Sequence, residues 1–183
     1  MPHPLPQRPA LLIIDMQVGL YHGPERPHAR EIVLGNINQL IAQARLAQAP
    51  IFAVRHTGPD GSPIAAGSPY WQLTPELAVD PARDIVFDKT RPSCFAGTAL
   101  AAQLAEAGCD GVVVVGMKTQ FCIDTTCRAA SELGLAVVLV ADAHTCMDTP
   151  QLKAEDIIAH HNVTLAGPFA NVLTTAQVRF VHA

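Results

Sequence analysis

No apolar run in this sequence of 183 residues approaches membrane-spanning length, and lysine and arginine form no basic stripe or polybasic segment. The first lack argues against a membrane helix. The second, with a formal net charge of -4, argues against nucleic acid or an anionic membrane surface as a partner. Charged residues are only 15% of the chain against 49% hydrophobic, which is enough apolar surface to offset chain entropy and excludes the disordered class. There is no GxGxxG or P-loop pattern, no CxxC pair, no internal repeat and no low-complexity tract, so the usual signatures of cofactor, nucleotide and zinc-ribbon sites are missing. The opening MPHPLPQRP holds four prolines and no apolar h-region, which sets the expectation of a cytoplasmic protein with a flexible arm over residues 1–9. The five cysteines are an odd count and are expected as free thiols, while the eight histidines are scattered. The adjacent His160 and His161 would point to different sides of a helix, so no zinc cluster is expected.

What is present is a series of short apolar runs separated by helical patterns. Residues 10–14 (ALLII) form a continuous run ending at Asp15, and residues 51–54, 85–87, 111–115 and 136–140 repeat the theme. Helical spacing over about residues 31–47, 96–107, 121–133 and 151–160 fills the intervals, and a weak strand is expected at 163–165. Strands that are apolar on both faces and alternate with helices predict one domain over residues 1–183. Its expected architecture is a three-layer α/β/α fold around a mainly parallel, about six-stranded, Rossmann-like sheet. Residues 16–31 read as a loop. Residues 55–84, dense in glycine and proline, read as a long excursion that builds a pocket, over this subunit or a neighbouring one.

The stretch GVVVVGMKTQFCIDTTCRAASEL (111–133) places Cys122 where a buried strand turns into a helix. Unpartnered amides of a first helical turn can lower a thiol pKa and hold a developing oxyanion. Asp15 and Lys89 also fall just after predicted strands, where sites in parallel sheets gather. Alone, each has an ordinary reading: a core cysteine, a turn-capping aspartate, a solvated lysine. Together they make a nucleophile, a proton acceptor and a cation that would stabilise a thiolate and keep Asp15 charged. The other cysteines, Cys94, Cys109, Cys127 and Cys146, are expected to be structural.

LLIIDMQ, FDKTRPSCF and GMKTQFCIDTTCRAA together resemble the isochorismatase-like cysteine hydrolases over roughly residues 10–178. GSPYWQLTPEL, KTRPSCFAGTAL and FANVLTTAQV resemble the small metal-free members, among them streptothricin-hydrolase-like proteins. The resemblance implies Asp15 as general acid/base, Lys89 as its electrostatic partner and Cys122 as a nucleophile that forms an acyl-enzyme. It also implies the backbone amides of Lys118 and Cys122 as oxyanion donors, a non-proline cis bond at Met117–Lys118, and self-association as a dimer or tetramer. No metal or other cofactor is expected, because VRHTGPDG offers His56 without the D-x-H element of metal-using nicotinamidases. The expected chemistry is cleavage of an amide, lactam or related C–N bond in a small molecule. Isochorismatase-type vinyl ether hydrolysis, which needs Asp15 but no cysteine, a nicotinamidase-like amidase and an idle binding or redox module are the alternatives. Gln17, Tyr21, His56, Trp71, Phe95 and Thr119 are candidate pocket residues. Lys118 is a departure from the family pattern that would attract an acidic substrate or simply face solvent.

Overall fold

The structure, a computed structural model, describes residues 4–180. Six strands form one sheet: β1 (Pro9–Ile14), β2 (Ile51–His56), β3 (Ile85–Lys89), β4 (Gly111–Met117), β5 (Ala136–Thr145) and β6 (Asn171–Leu173). Their spatial order is β3-β2-β1-β4-β5-β6, and every neighbouring pair is parallel. The chain therefore winds outward from β1 in both directions, and the crevice beside the C-terminal ends of β1 and β4 is the topological switch point.

The apolar runs divide by the two-residue period of a strand. Leu11, Ile13, Val113, Val115, Val138 and Val140 face one layer, where they meet Ile37, Leu40 and Ile41 of α2 (Arg30–Leu46). Ala10, Leu12, Ile14, Val112, Val114 and Leu139 face the other, packed on α3 (Leu100–Glu106) and α4 (Asp124–Glu132). A short α1 (Val18–Tyr21) and α5 (Ala154–Leu165) complete the helices. Among the described residues no helix is long and apolar enough to cross a membrane.

Several expected boundaries shift. The segment after β1 read as loop contains α1, because Leu20 and Tyr21 have core to pack on. Residues 163–165 end α5 instead of forming a strand; the sixth strand is Asn171–Leu173, too short and too polar to give a strand pattern. The expected arm over residues 1–9 is held from Pro4 onward. Asn171 donates to the Pro4 carbonyl at 3.0 Å, the amides of Gln7 and Arg8 bond the Asp110 carboxylate at 2.9 and 2.8 Å, and Pro9 opens β1. Residues 1–3 lie outside the described residues.

Candidate active site

Three strand ends deliver the site. Asp15 follows β1 in a left-handed conformation (φ 53°), which aspartate tolerates better than most side chains. Lys89 is the last residue of the edge strand β3, so its side chain must pass the end of β2 to reach β1, and His56, the last residue of β2, stands on that path. Cys122 sits in a single π-helical turn, Thr119–Ile123, between β4 and α4, and the Met117–Lys118 bond that enters this turn is cis. Gly116, just before it, has φ 116°, and a methyl there would collide with the Ile14 carbonyl, so β4 can lie against β1 at this level only with glycine.

The three side chains meet. Lys89 Nζ donates to Asp15 Oδ2 at 2.9 Å, to Cys122 Sγ at 3.2 Å and to the Arg91 carbonyl at 3.2 Å, and lies 3.1 Å from His56 Nδ1. The lysine and aspartate side chains are essentially closed to solvent. Donor atoms of Asp15, His56 and Cys122 lie within 4.8 Å of one another, a spacing that suits a metal ion, but the Lys89 ammonium contacts all three and supplies the positive charge itself. The second Asp15 oxygen, Oδ1, is buried with no hydrogen-bond partner among the described residues. A carboxylate oxygen left so in a protein interior is costly and calls for an explanation; the neighbouring Cys122 thiol, which interacts with the Asp15 carboxylate, supplies one.

Burial controls the proton affinities. It pushes the Cys122 thiol up to about 12, with the Asp15 carboxylate pushing the same way and Lys89 opposing. This overturns the expectation of a lowered thiol: desolvation of a thiolate outweighs one ammonium. Burial also raises the Asp15 pKa, while the charge and hydrogen bond of Lys89 pull it the other way, so the carboxyl holds a proton more tightly than an ordinary aspartate. Burial disfavours charge on Lys89 as well, but Asp15, Cys122 and Cys94 more than offset it and its pKa is raised. Burial and Lys89 lower the His56 pKa, consistent with a neutral ring whose Nδ1 accepts from the ammonium and whose Nε2 carries the hydrogen.

A cavity of about 310 Å³ opens onto Asp15, His56 and Cys122. Its other walls are Leu20, Ile64, Pro92, Phe121 and Lys118. Of the candidate pocket residues, only His56 lines it. Gln17 is fully buried and spent as a staple: its amide nitrogen donates to the carbonyls of His56 and Trp71 at 3.0 and 2.8 Å, and its oxygen accepts from the His56 amide at 2.8 Å. Trp71 is held by Thr57 Oγ1 at 2.8 Å and by the Arg55 guanidinium 3.5 Å above its ring, so it braces the excursion between β2 and β3. Tyr21 and Phe95 pack into the two core layers. The Thr119 hydroxyl faces His144 Nδ1 at 2.9 Å, away from the cavity, and His144 Nε2 meets Asn162 Oδ1 at 2.9 Å. The sequence did carry signals for the walls it missed: Phe121 is a large apolar side chain beside the thiol and half exposed, and Ile64 is the lone large aliphatic in GSPIAAGSP. Ile64 also shows that the excursion borders the cavity of its own chain.

Residues 9–177 match the family model described as the isochorismatase domain. The chain belongs to the isochorismatase family. A streptothricin hydrolase of Streptomyces noursei is 38% identical over 142 residues, covering 77% of this chain and 51% of that protein. The chain thus spans about half the length of that curated relative. Among solved structures, a cysteine hydrolase from Pseudomonas syringae pv. phaseolicola aligns at TM-score 0.87 with 27% identity over 97% of this chain and 96% of that one. An isochorismatase from Pseudomonas putida aligns at TM-score 0.87 with 29% identity, covering 97% and 93%. The three-layer fold with its all-parallel sheet is the fold of these isochorismatase-family neighbours.

Proposed function

We propose that this isochorismatase-family chain is a cysteine hydrolase that cleaves an amide, lactam or related C–N bond of a small molecule through an acyl-Cys122 intermediate. The observation that carries the reading is the buried contact set around Lys89 Nζ, 2.9 Å from Asp15 and 3.2 Å from Cys122, at the wall of a cavity sized for a small ligand. The hydrolase and cysteine-hydrolase names of the relatives agree with it.

At rest the sulfur keeps its proton. As a substrate carbonyl approaches, Asp15 takes that proton on Oδ1, the oxygen that Lys89 leaves free, and Sγ forms a bond to the carbonyl carbon while the π electrons move to oxygen. The raised proton affinity of Asp15 makes it a stronger base for this transfer than an ordinary carboxylate. Lys89 keeps its proton and stabilises the charge as it moves between sulfur and carboxylate. The backbone amides of Lys118, just before the π-helical turn, and of Cys122, within it, are the donors proposed for the oxyanion. Collapse breaks the C–N bond, and Asp15 returns the proton to the leaving nitrogen. Water, deprotonated by Asp15, then attacks the thioester, releases the acid and leaves the thiol protonated again. We further propose a small-molecule partner and a dimeric or tetrameric assembly.

The test is a screen of amides, lactams and carbamoyl compounds with mass detection of an adduct on Cys122. With a turned-over substrate, Cys122→Ser is expected to lower turnover by about 10³-fold or more and to abolish the adduct. Full turnover by Cys122→Ser would sink the thioester route and favour hydrolysis that uses Asp15 alone.

A further inference from the structure

The charges around the cavity do not balance. Asp15 is matched by Lys89, and His56 is neutral, so these three contribute no net charge. Lys118 adds a cation to the same wall, and among the described residues it enters no ion pair. Asp148 is already bound to Lys153 Nζ at 2.7 Å and to the Ala154 amide at 2.9 Å. The remaining wall residues, Leu20, Ile64, Pro92 and Phe121, are apolar and offer no counter-charge. Lys118 is a half-buried residue, and a cation beside an apolar wall gains from an anion brought next to it. The chain as a whole carries a formal charge of -4, so attraction for an anion here is local and not a property of the surface at large.

We infer that Lys118 is a specificity-determining residue and that the site takes a compact apolar molecule bearing a carboxylate or comparable anionic group close to the carbon that Cys122 attacks. That the molecule is an amide rests on the proposed hydrolase reading; that it is an anion rests on Lys118 alone. The cavity of about 310 Å³ limits the body to a single ring or short branched chain. The apolar walls hold that body, and the cation orients its charged end, so the reacting carbonyl is delivered to sulfur in one direction.

The test separates the two readings because it needs no turnover. Cys122 is alkylated at pH 8.5 with iodoacetate, which is anionic, and with iodoacetamide, its neutral counterpart, and the Cys122 peptide is quantified by mass spectrometry. The rate ratio of iodoacetate to iodoacetamide is expected to fall about tenfold in Lys118→Met, to persist in Lys118→Arg and to be unchanged in Lys153→Met, tenfold being the scale of one charge-assisted contact at a half-exposed site. In the unmodified protein the same ratio is expected to fall between 20 mM and 500 mM KCl, a measurement that needs no variant to fold. A ratio equal in Lys118→Met and the unmodified protein, or one indifferent to salt, overturns the inference. A ratio that falls as expected while no amide ever forms an acyl-Cys122 keeps the anion site and sinks the hydrolase reading.

Discussion

Replacing Lys89 by methionine removes the one charge that holds the site together and keeps a side chain of similar reach. The structure sets the size of the loss. Lys89 and Asp15 are both closed to solvent, and the ammonium contacts Asp15 Oδ2, His56 Nδ1, Cys122 Sγ and the Arg91 carbonyl. Removing one partner of a buried pair costs about 3 to 5 kcal/mol, because the charge left behind has neither water nor counter-ion. The cost depends on pH with a definite sign. Asp15 already has a folded-state pKa above its ordinary value, and without Lys89, the main influence that lowers it, that pKa rises further. A carboxyl raised in the folded state favours folding at low pH, where it is protonated in both states. That contribution is lost as pH rises from the ordinary value toward the folded one, here over a window whose upper end moves up in the variant. The deficit of Lys89→Met relative to the unmodified protein is therefore expected to grow from pH 5 to pH 8, by at most about 1.4 kcal/mol per pH unit. Urea unfolding midpoints across that range measure it. Adding Asp15→Asn to Lys89→Met removes the orphaned charge and is expected to restore part of the stability and flatten the dependence. A deficit below about 1 kcal/mol at pH 8, or one equal at pH 5 and pH 8, would refute the account of a buried, mutually compensated pair.

The thiol at about 12 leaves roughly one Cys122 in 10⁵ as thiolate at pH 7, so no thiolate absorbance near 240 nm assignable to Cys122 is expected there, and its appearance would overturn the picture of a sulfur protonated at rest. Burial pushes His144 down to about 4, so the unfolded chain takes up a proton below the ordinary histidine value while the folded chain does not. Stability is then present above pH 6.5 and falls toward pH 4 by up to about 3 kcal/mol from this residue, and His144→Gln is expected to lose that portion of the acid sensitivity in denaturant titrations. Thr119→Val leaves His144 Nδ1 without its 2.9 Å partner and is expected to cost about 1 to 3 kcal/mol, read as a lowered urea midpoint; an unchanged midpoint would mean the contact contributes nothing. Gly116→Ala is expected to destabilise by more than about 2 kcal/mol, since the methyl meets the Ile14 backbone and the residue needs φ 116°; near-normal stability would show that β1 and β4 can part without loss.

The parts of the molecule that were legible in its sequence are those where a local pattern and a global requirement coincide. Continuous runs such as ALLII and VVVV have to be buried on both faces, which forces a parallel sheet, and their C-terminal ends fix where Asp15 and Cys122 must lie. The cavity walls were not legible in the same way. Gln17, Trp71 and Thr119 are near the site in the chain and near it in space, yet each directs its polar atoms into the scaffold, and only the backbone path decides that. The sixth strand escaped because three half-buried residues pairing with Val138, Leu139 and Val140 make no strand signal of their own. The direction of the Cys122 shift is not legible in the sequence for an energetic reason: the neighbouring residues show the charge of Lys89 but not the depth at which the pair sits, and depth dominates.

That depth explains the choice of lysine at the centre of the site. A histidine in the place of Lys89, bonded directly to the thiol, would share its proton and settle into a thiolate–imidazolium pair, which is reactive toward any electrophile that reaches it. Lys89, with its pKa raised, has no tendency to act as a base, and the proposed route gives that task to Asp15, whose own proton affinity burial has raised. In the proposed route the proton stays on sulfur until a carbonyl is in place, and the ammonium, already within 3.2 Å of both acceptor atoms, has no distance to move when charge passes from carboxylate to sulfur. On that proposal the site is quiet without substrate because the thiolate is costly in a dry environment, and competent with substrate because that charge is passed directly to the carbonyl oxygen.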